Sequence, residues 1–226
     1  MRRIFTGAIA LSCLVVSSAE AQQRAQPFVG AVAGISTLSA DARSEIGSSE
    51  AQVSLYEPKN GPALNVLFGL HVHEYVTVQA NYVWNRNMVT LASVRAAEPG
   101  PSFYEQPRNS SQHAIVGDLL VYFRERRSVV RPYLSAGLGF VRLETTSHGQ
   151  ERVSRAVPAP ASSHASRALL RVAVGIDVAL AGGWIARYSF SESVSGNPIS
   201  AQLSPPARRG LANFQNLFGI VHAFRD

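Results

Sequence analysis

The stretch from Ser166 to Phe190 constrains the fold more than any other part of the chain. Apolar side chains recur there at every second residue, in two runs separated by Ala181-Gly182-Gly183. A period of two over this length indicates two β-strands joined by a tight turn. Reflecting the chain about Gly182 stacks the apolar side chains on one face and sets Asp177 opposite Arg187 on the other. The pattern predicts a membrane β-hairpin with lipid on its apolar face and a polar barrel interior behind it.

The same alternation extends along the rest of the chain. It predicts six further strands, at residues 27–36, 62–72, 76–85, 112–123, 132–143 and 213–224. The connections alternate between long and short, with the four long ones at 38–61, 86–111, 144–164 and 191–210. This rhythm is typical of an all-β, eight-stranded antiparallel up-and-down transmembrane barrel with short periplasmic turns and four long extracellular loops.

Four charged residues fall on the faces expected to point inward: Asp118, Arg171, Asp177 and Arg187. Placing Asp118 outward would leave a carboxylate in lipid, at a cost of roughly 2–4 kcal/mol. An eight-stranded barrel is just wide enough for side chains to fill it. We therefore expect a salt-bridge network that fills the lumen, in preference to a gate or an ion path.

Aromatic residues cluster near both predicted ends of the strands, as expected for interfacial girdles. The lower girdle is predicted at Tyr75, Phe123, Trp184 and Phe224, and the upper one at Tyr82, Trp84, Phe140, Tyr188 and Phe214. A lipocalin-type barrel is the rival fold, because it has the same alternation with its faces inverted. Bulky outer faces, glycine-rich inner faces and long loops at one end favour the membrane barrel.

The first 21 residues have the pattern of a secretory signal peptide. Arg2-Arg3 supply a positive start, residues 4–16 an apolar core, and Ala19-Glu20-Ala21 the A-x-A site with cleavage after Ala21. The core is shorter than the ~20 residues of a membrane-spanning helix. We expect a signal peptide at 1–21 and one barrel domain at 22–226; the single cysteine, Cys13, would leave with the signal.

The formal charge of +6 comes almost entirely from arginine, since Lys59 is the only lysine. These arginines are interspersed with acidic residues and no nucleic-acid-binding motif is present, so nucleic acid is not an expected partner. His71 and His73 would point to opposite faces of a strand, and no metal site or cofactor is expected. Serines cluster at 189–195, but no histidine lies between His164 and His222 to act as their base. No catalytic residue is predicted, and a lipid-modifying hydrolase is kept as an alternative.

Two phrases give the chain a family resemblance: 131–140, RPYLSAGLGF, and the closing 216–224, NLFGIVHAF. With the A-x-A signal, they make the mature chain resemble small eight-stranded outer-membrane barrels, similar to the OmpA transmembrane domain and the opacity proteins. The resemblance implies a non-enzymatic monomer in outer-membrane lipid and lipopolysaccharide, built by the barrel-assembly machinery, with loops that meet an unidentified surface ligand. A narrow solute pore is the alternative. Arg225-Asp226 depart from the family pattern, in which an aromatic residue such as Phe224 ends the chain.

Overall fold

The computed structural model describes residues 25–39, 44–45, 52–95, 100–156, 160–197 and 210–224. The predicted signal peptide and its cleavage site lie outside these residues. The strands are β1 Gln26–Ser39, β2 Ser44–Glu45, β3 Gln52–Pro58, β4 Gly61–His71, β5 Val76–Arg95, β6 Ser102–Tyr122, β7 Val130–Ser147, β8 Arg152–Ser154, β9 Ser162–Ala179, β10 Trp184–Gly196 and β11 Gly210–Ala223. No helix within the described ranges is long and apolar enough to cross a bilayer.

Eight long strands form a closed antiparallel ring, and each matches one of the eight predicted strands. The order around the ring is β1, β4, β5, β6, β7, β9, β10 and β11, and β11 pairs back with β1. The short strands β2, β3 and β8 add to the sheet at the end of the ring opposite the tight turns. We call the two ends the turn end and the loop end. The predicted fold class is confirmed.

The register around the ring sets the width of the barrel. Directly paired residues lead from Phe28 through one partner on each strand and return to β1 at Leu38, ten residues further along. Eight strands with this stagger tilt by roughly 40° and enclose a backbone cylinder of roughly 8 Å radius. A cylinder of this size leaves room for inward side chains and little else.

The hairpin of β9 and β10 has the predicted turn and register. Asp177 pairs with Arg187, and the ladder ends at Ala179 and Ile185. Ala181–Gly183 form one 3₁₀ turn in which Gly182 and Gly183 have φ angles of 69° and 83°. These left-handed conformations suit glycine, which has no Cβ to clash with its own backbone.

The faces of this hairpin decide between a membrane barrel and a lipocalin-type barrel. Leu170 and Val174 lie on the outer wall, 52% and 48% exposed, whereas Arg171 and Asp177 point inward and are 3% and 1% exposed. An apolar outer wall around a charged interior is the membrane arrangement, so the lipocalin alternative is wrong. Glu192 is a polar exception on the outer wall, next to Phe190 on the side towards the loop end.

The predicted long loops are wrong in part, because much of each is strand. The largest difference is at 86–111, where β5 and β6 stay paired from Arg86 with Ser111 up to Arg95 with Ser102. Ladders also continue to Thr146 with Ser162 between β7 and β9, and to Gly196 with Gly210 between β10 and β11. Polar residues and Pro107 suggested loops there. Once the ladder has formed in the barrel wall, however, adding pairs satisfies further backbone groups.

Candidate functional site

The strongest concentration of buried charge lies in the lumen near the turn end, around Arg187. Its Nε donates to Asp177 Oδ1 and its Nη2 to Asp177 Oδ2, both at 2.7 Å, and both side chains are 2% exposed. Tyr122 Oη donates to Asp177 Oδ2 at 2.8 Å, and Arg187 Nη1 donates to Gln79 Oε1 at 2.6 Å. The guanidinium and the carboxylate therefore form a bidentate pair. Tyr122 makes a further hydrogen bond to the carboxylate, and Gln79 accepts a further one from the guanidinium.

A second charge pair lies further towards the loop end. Arg171 Nη1 donates to Asp118 Oδ2 at 3.0 Å, and the side chains are 3% and 2% exposed. Asn81 Nδ2 donates to the same oxygen at 2.9 Å, and Gln79 Nε2 donates to Asn81 Oδ1 at 2.7 Å. Gln79 also accepts from Arg187, so the two ion pairs belong to one connected network.

The four charged residues singled out from the sequence are thus brought together in two pairs. The bridging side chains Gln79, Asn81 and Tyr122 were not singled out. Gln79 and Asn81 belong to the polar face recognisable in the alternation of β5, which is the signal that could have found them. Tyr122 gives no such signal. It lies beside the aromatic Phe123 at the end of β6, and the sequence does not distinguish an inward aromatic residue there from one of the girdle.

Above the charges, neutral amides and hydroxyls cross the lumen from strand to strand. Gln215 Nε2 donates to Asn85 Oδ1 at 2.6 Å and Asn213 Nδ2 to Gln112 Oε1 at 3.2 Å. Ser36 Oγ donates to Asn213 Oδ1 at 2.7 Å. The Ser36–Asn213 bond joins the paired strands β1 and β11. The other two bonds join β11 to β5 and β6, which are not its neighbours in the ring, so the layer spans the width of the lumen.

The interior is less polar than the sequence suggests. Near the loop end the lumen holds an apolar cluster, formed by Leu38, Val89, Leu91, Tyr104, Leu143 and Leu211. A second cluster near the turn end includes Phe28, Leu67, Leu217 and Val221. Alternation fixes which side chains point inward, but it does not require them to be polar, because an inward side chain in a filled lumen meets protein and not water.

Two cavities in the lumen show how closely it is filled. One lies among the amides near the loop end and the other beside the Arg171–Asp118 pair, and each has a volume of about 10 Å³. Such a volume holds about one water molecule. The described lumen therefore has room for isolated waters beside its polar groups.

The aromatic residues of the predicted girdles lie on the outer wall, but one of them, Tyr188, lies at a different height from the one predicted. Tyr75, Phe123, Trp184 and Phe224 are exposed at the turn end, whereas Phe140 is 72% exposed and Trp84 and Phe214 are half-buried towards the loop end. Tyr188, predicted at the upper girdle, is only four residues from Trp184 on the same strand, about 10 Å higher on the tilted wall. Its hydroxyl donates to Asn216 Oδ1 at 2.9 Å, so the tyrosine O–H has an acceptor within the apolar band.

Within the described ranges, the serine cluster of β10 makes no hydrogen bond to a histidine. Ser189, Ser191, Ser193 and Ser195 all point inward and are at most 8% exposed. Ser191 Oγ donates to Gln215 Oε1 at 3.3 Å and accepts from Arg171 Nη2 at the same distance. The Ser191 hydroxyl is therefore part of the lumen network.

A serine–histidine contact occurs elsewhere, and the sequence reasoning missed it. On the outer wall just above the upper girdle, Ser111 Oγ lies 3.3 Å from His113 Nε2, and Tyr82 Oη lies 2.7 Å from His113 Nδ1. The spacing of Ser111 and His113 could have indicated this contact, since residues two apart on a strand share a face.

Histidines do not gather into a metal site in the described ranges, where no group of three His, Cys, Asp or Glu side chains could hold an ion. His71 points inward and donates to or accepts from Thr77 Oγ1 at 2.7 Å, whereas His73 is exposed in the following turn.

Above the membrane band, the extended hairpins carry their own polar contacts. Gln106 Nε2 donates to Glu151 Oε1 at 2.7 Å and to Ser147 Oγ at 3.1 Å. Hydrogen bonds from Gln106 and Ser147 hold the pKa of the Glu151 carboxyl below its ordinary value. The hairpins are thus tied together by side chains as well as by their ladders.

Comparisons with known proteins agree with this architecture. Neisserial surface protein A (NspA) superposes with a TM-score of 0.53 at 15% identity, covering 88% of this chain and 97% of that one. The outer membrane protein OprG of Pseudomonas aeruginosa gives 0.53 at 13% identity, covering 89% and 97%. At such low identities the likeness shows the fold alone. No match was found among curated protein sequences.

A family model described as "Outer membrane protein beta-barrel domain" matches residues 6–203. This span takes in all but the last strand of the ring. The chain therefore belongs to the outer membrane protein beta-barrel domain family and is a protein of the outer membrane.

Proposed function

We propose that this protein is a non-enzymatic outer-membrane barrel whose lumen carries no steady solute flow and whose extracellular hairpins do its specific work. The observation that carries the proposal is the filled lumen: buried ion pairs, a layer of amides and an apolar cluster follow one another along the axis. Moving an ion through them would require breaking buried charge pairs, which is costly.

The extracellular end supports a role in surface interaction. β5 and β6 continue for about ten residues past the level of Arg86 and Ser111, and β8 adds to their edge. At roughly 2.5 Å of height per tilted residue, this hairpin stands about 25 Å above the girdle. Such an extension is far longer than the membrane needs, which favours contact with a surface ligand or a neighbouring envelope component.

Single-channel recording in planar bilayers tests the lumen part of the proposal. We expect little or no steady current from the refolded mature chain, with a large porin as the conducting control. A stable conductance that scales with salt concentration would favour the narrow solute pore. The surface role is tested by deleting the tip of the β5–β6 hairpin and comparing the adhesion of intact cells, with heat-modifiable gel migration as the folding control.

One observation favours a lipid-ester hydrolase as a second candidate: the Ser111–His113–Tyr82 chain lies at the level of the membrane–water interface. A hydroxyl beside an imidazole that a third group orients is the arrangement of an activated nucleophile. The surrounding wall argues against it, because its backbone N–H groups are engaged in the ladder and so do not form an oxyanion hole. Release of fatty acid from lipid A or phospholipid by the refolded protein, lost in Ser111→Ala, would establish the hydrolase.

The remaining partners are also proposals. Assembly by the barrel-assembly machinery rests on the aromatic residue Phe224 near the C-terminus, and a monomeric state rests on the closed ring, which leaves no free edge in the membrane band. Cross-linking in intact cells tests whether the protein is a monomer.

A further inference from the structure

The periplasmic mouth of the barrel holds a cavity that plays no part in the function proposed above. It is open to solvent and has a volume of about 260 Å³, room for several water molecules. We call it the vestibule; three arginines line it, Arg126, Arg127 and Arg131. Trp184 and Leu180 form part of its wall, level with the lower girdle, where the phosphates of the inner leaflet lie.

Arg131 is the most deeply placed of the three. It is 4% exposed, yet among the described residues its guanidinium makes one hydrogen bond, from Nη2 to the backbone oxygen of Glu74 at 3.1 Å. Its charged face stacks on Tyr122, with Cζ 3.8 Å from the ring centroid, and its Nε–H has no acceptor in the described protein. A buried guanidinium is ordinarily paired with a carboxylate or phosphate.

Asp177, the carboxylate that is directly opposite Arg131 in the strand register, already binds other side chains. Arg131 pairs with Asp177 in the ladder between β7 and β9, but Asp177 receives Arg187 on both oxygens and Tyr122 on one. Asp177 also lines the vestibule. Because its oxygens already bind Arg187 and Tyr122, the Arg131 guanidinium faces the vestibule without a hydrogen bond to a carboxylate of the described residues.

Arg126, like Arg131, donates to backbone oxygens and has an Nε without an acceptor. Its Nη2 donates to the backbone oxygens of His71 and His73, at 3.3 and 3.2 Å, and its Nε has no acceptor in the described protein. Glu74 Oε2 accepts from the Arg126 backbone N–H at 3.0 Å. Carbonyl oxygens orient the two guanidiniums without cancelling their charge.

From these contacts we infer that the vestibule is a binding site for a phosphate-type oxyanion, held by Arg126, Arg127 and Arg131. Arginine suits this ligand, because its planar fork matches two phosphate oxygens at once. Both the headgroup of an inner-leaflet phospholipid and free phosphate offer this chemistry, and the experiment below separates them.

Trp184 gives the test a built-in reporter. The chain has two tryptophans, and Trp84 is at the opposite girdle, so Trp84→Phe leaves Trp184 as the only indole. The full mature chain with this substitution is refolded in a sugar-headgroup detergent, which carries no phosphate. Sodium phosphate is added in one arm at constant ionic strength, with chloride as control. Short-chain phosphatidylglycerol is added in the other, with diacylglycerol of equal chain length as control.

A saturable change in Trp184 fluorescence with phosphate means that the site accepts the free anion; a change with phosphatidylglycerol alone means that it takes the lipid headgroup. In either case Arg131→Gln should weaken the apparent affinity about tenfold or more, since one charge-assisted contact is lost. Arg124→Gln, in the same turn but outside the vestibule, should leave it unchanged. If Arg131→Gln does not fold, the Arg126→Gln, Arg127→Gln double variant takes its place, and the same loss of apparent affinity is expected.

Three results would overturn the inference. The first is the absence of a saturable response in both arms. The second is an equal response to chloride or to diacylglycerol. The third is an equal loss of affinity in Arg124→Gln, which would mean that the net charge of the turn, and not the vestibule, attracts the anion.

Discussion

The pair of Arg187 and Asp177 allows a sharp test of how the lumen stabilises the barrel. Asp177→Ala leaves a buried guanidinium with Gln79 and Tyr122 as acceptors, and Arg187→Ala leaves a buried carboxylate with Tyr122 as its donor. Removing one partner of a buried pair costs roughly 3–5 kcal/mol, because the other charge stays desolvated. The double variant removes both charges, so its loss should fall short of the sum by roughly 2–3 kcal/mol.

The chain provides a matched control in Arg142 and Glu144. Their Nε–Oε1 distance is 2.7 Å, the same as in the lumen pair, but their side chains are 59% and 45% exposed. Exposed pairs contribute roughly 0–1 kcal/mol because water screens the charges. The two pairs have the same shortest distance but differ in burial, and the lumen pair has two hydrogen bonds where the control has one.

Urea unfolding of the barrel in vesicles, followed by tryptophan fluorescence and by gel mobility of unboiled samples, measures the free energy of unfolding of each variant. We expect strong coupling between Arg187 and Asp177 and coupling of at most about 0.5 kcal/mol between Arg142 and Glu144. Additive losses for the lumen pair, or equal coupling in the two pairs, would refute the argument that burial makes this interaction matter.

Three further predictions concern packing, topology and conduction. Gly137→Ala should lower the free energy of unfolding by roughly 1–3 kcal/mol, because a Cβ there would collide with the Asp118 carboxylate, whereas Gly117→Ala, which meets nothing within 4 Å, should be neutral in the same urea assay. Trypsin should cut at the exposed Arg152 on intact cells and at Arg124 only after permeabilisation, and cutting at Arg124 on intact cells would reverse the proposed orientation. Truncating the amide layer to alanine should raise bilayer conductance above that of the wild type, and an unchanged current would mean that other side chains close the lumen.

Alternation and turn chemistry in the sequence were enough to predict the barrel. The run from Ser166 to Phe190 determined two strands, the glycine turn and the register that sets Asp177 opposite Arg187. These features are local: a strand repeats every two residues, and a tight turn fixes which residues face each other. The charged residues of the lumen could be named for the same reason, since Asp118 in lipid would be costly.

Tertiary structure decided what happens between strands that are distant in sequence. Asp118 and Arg171 lie on strands separated by β7. Gln79 on β5 joins their network to Arg187 on β10 only because the sheet closes into a ring where β11 pairs with β1. The extension of β5 to Arg95 also depends on a partner strand, since each of its residues from Arg86 onward pairs with one of β6. The period of a strand determines which side chains point inward, but the stagger of the closed ring determines which of them meet, and that stagger is a property of all eight strands together.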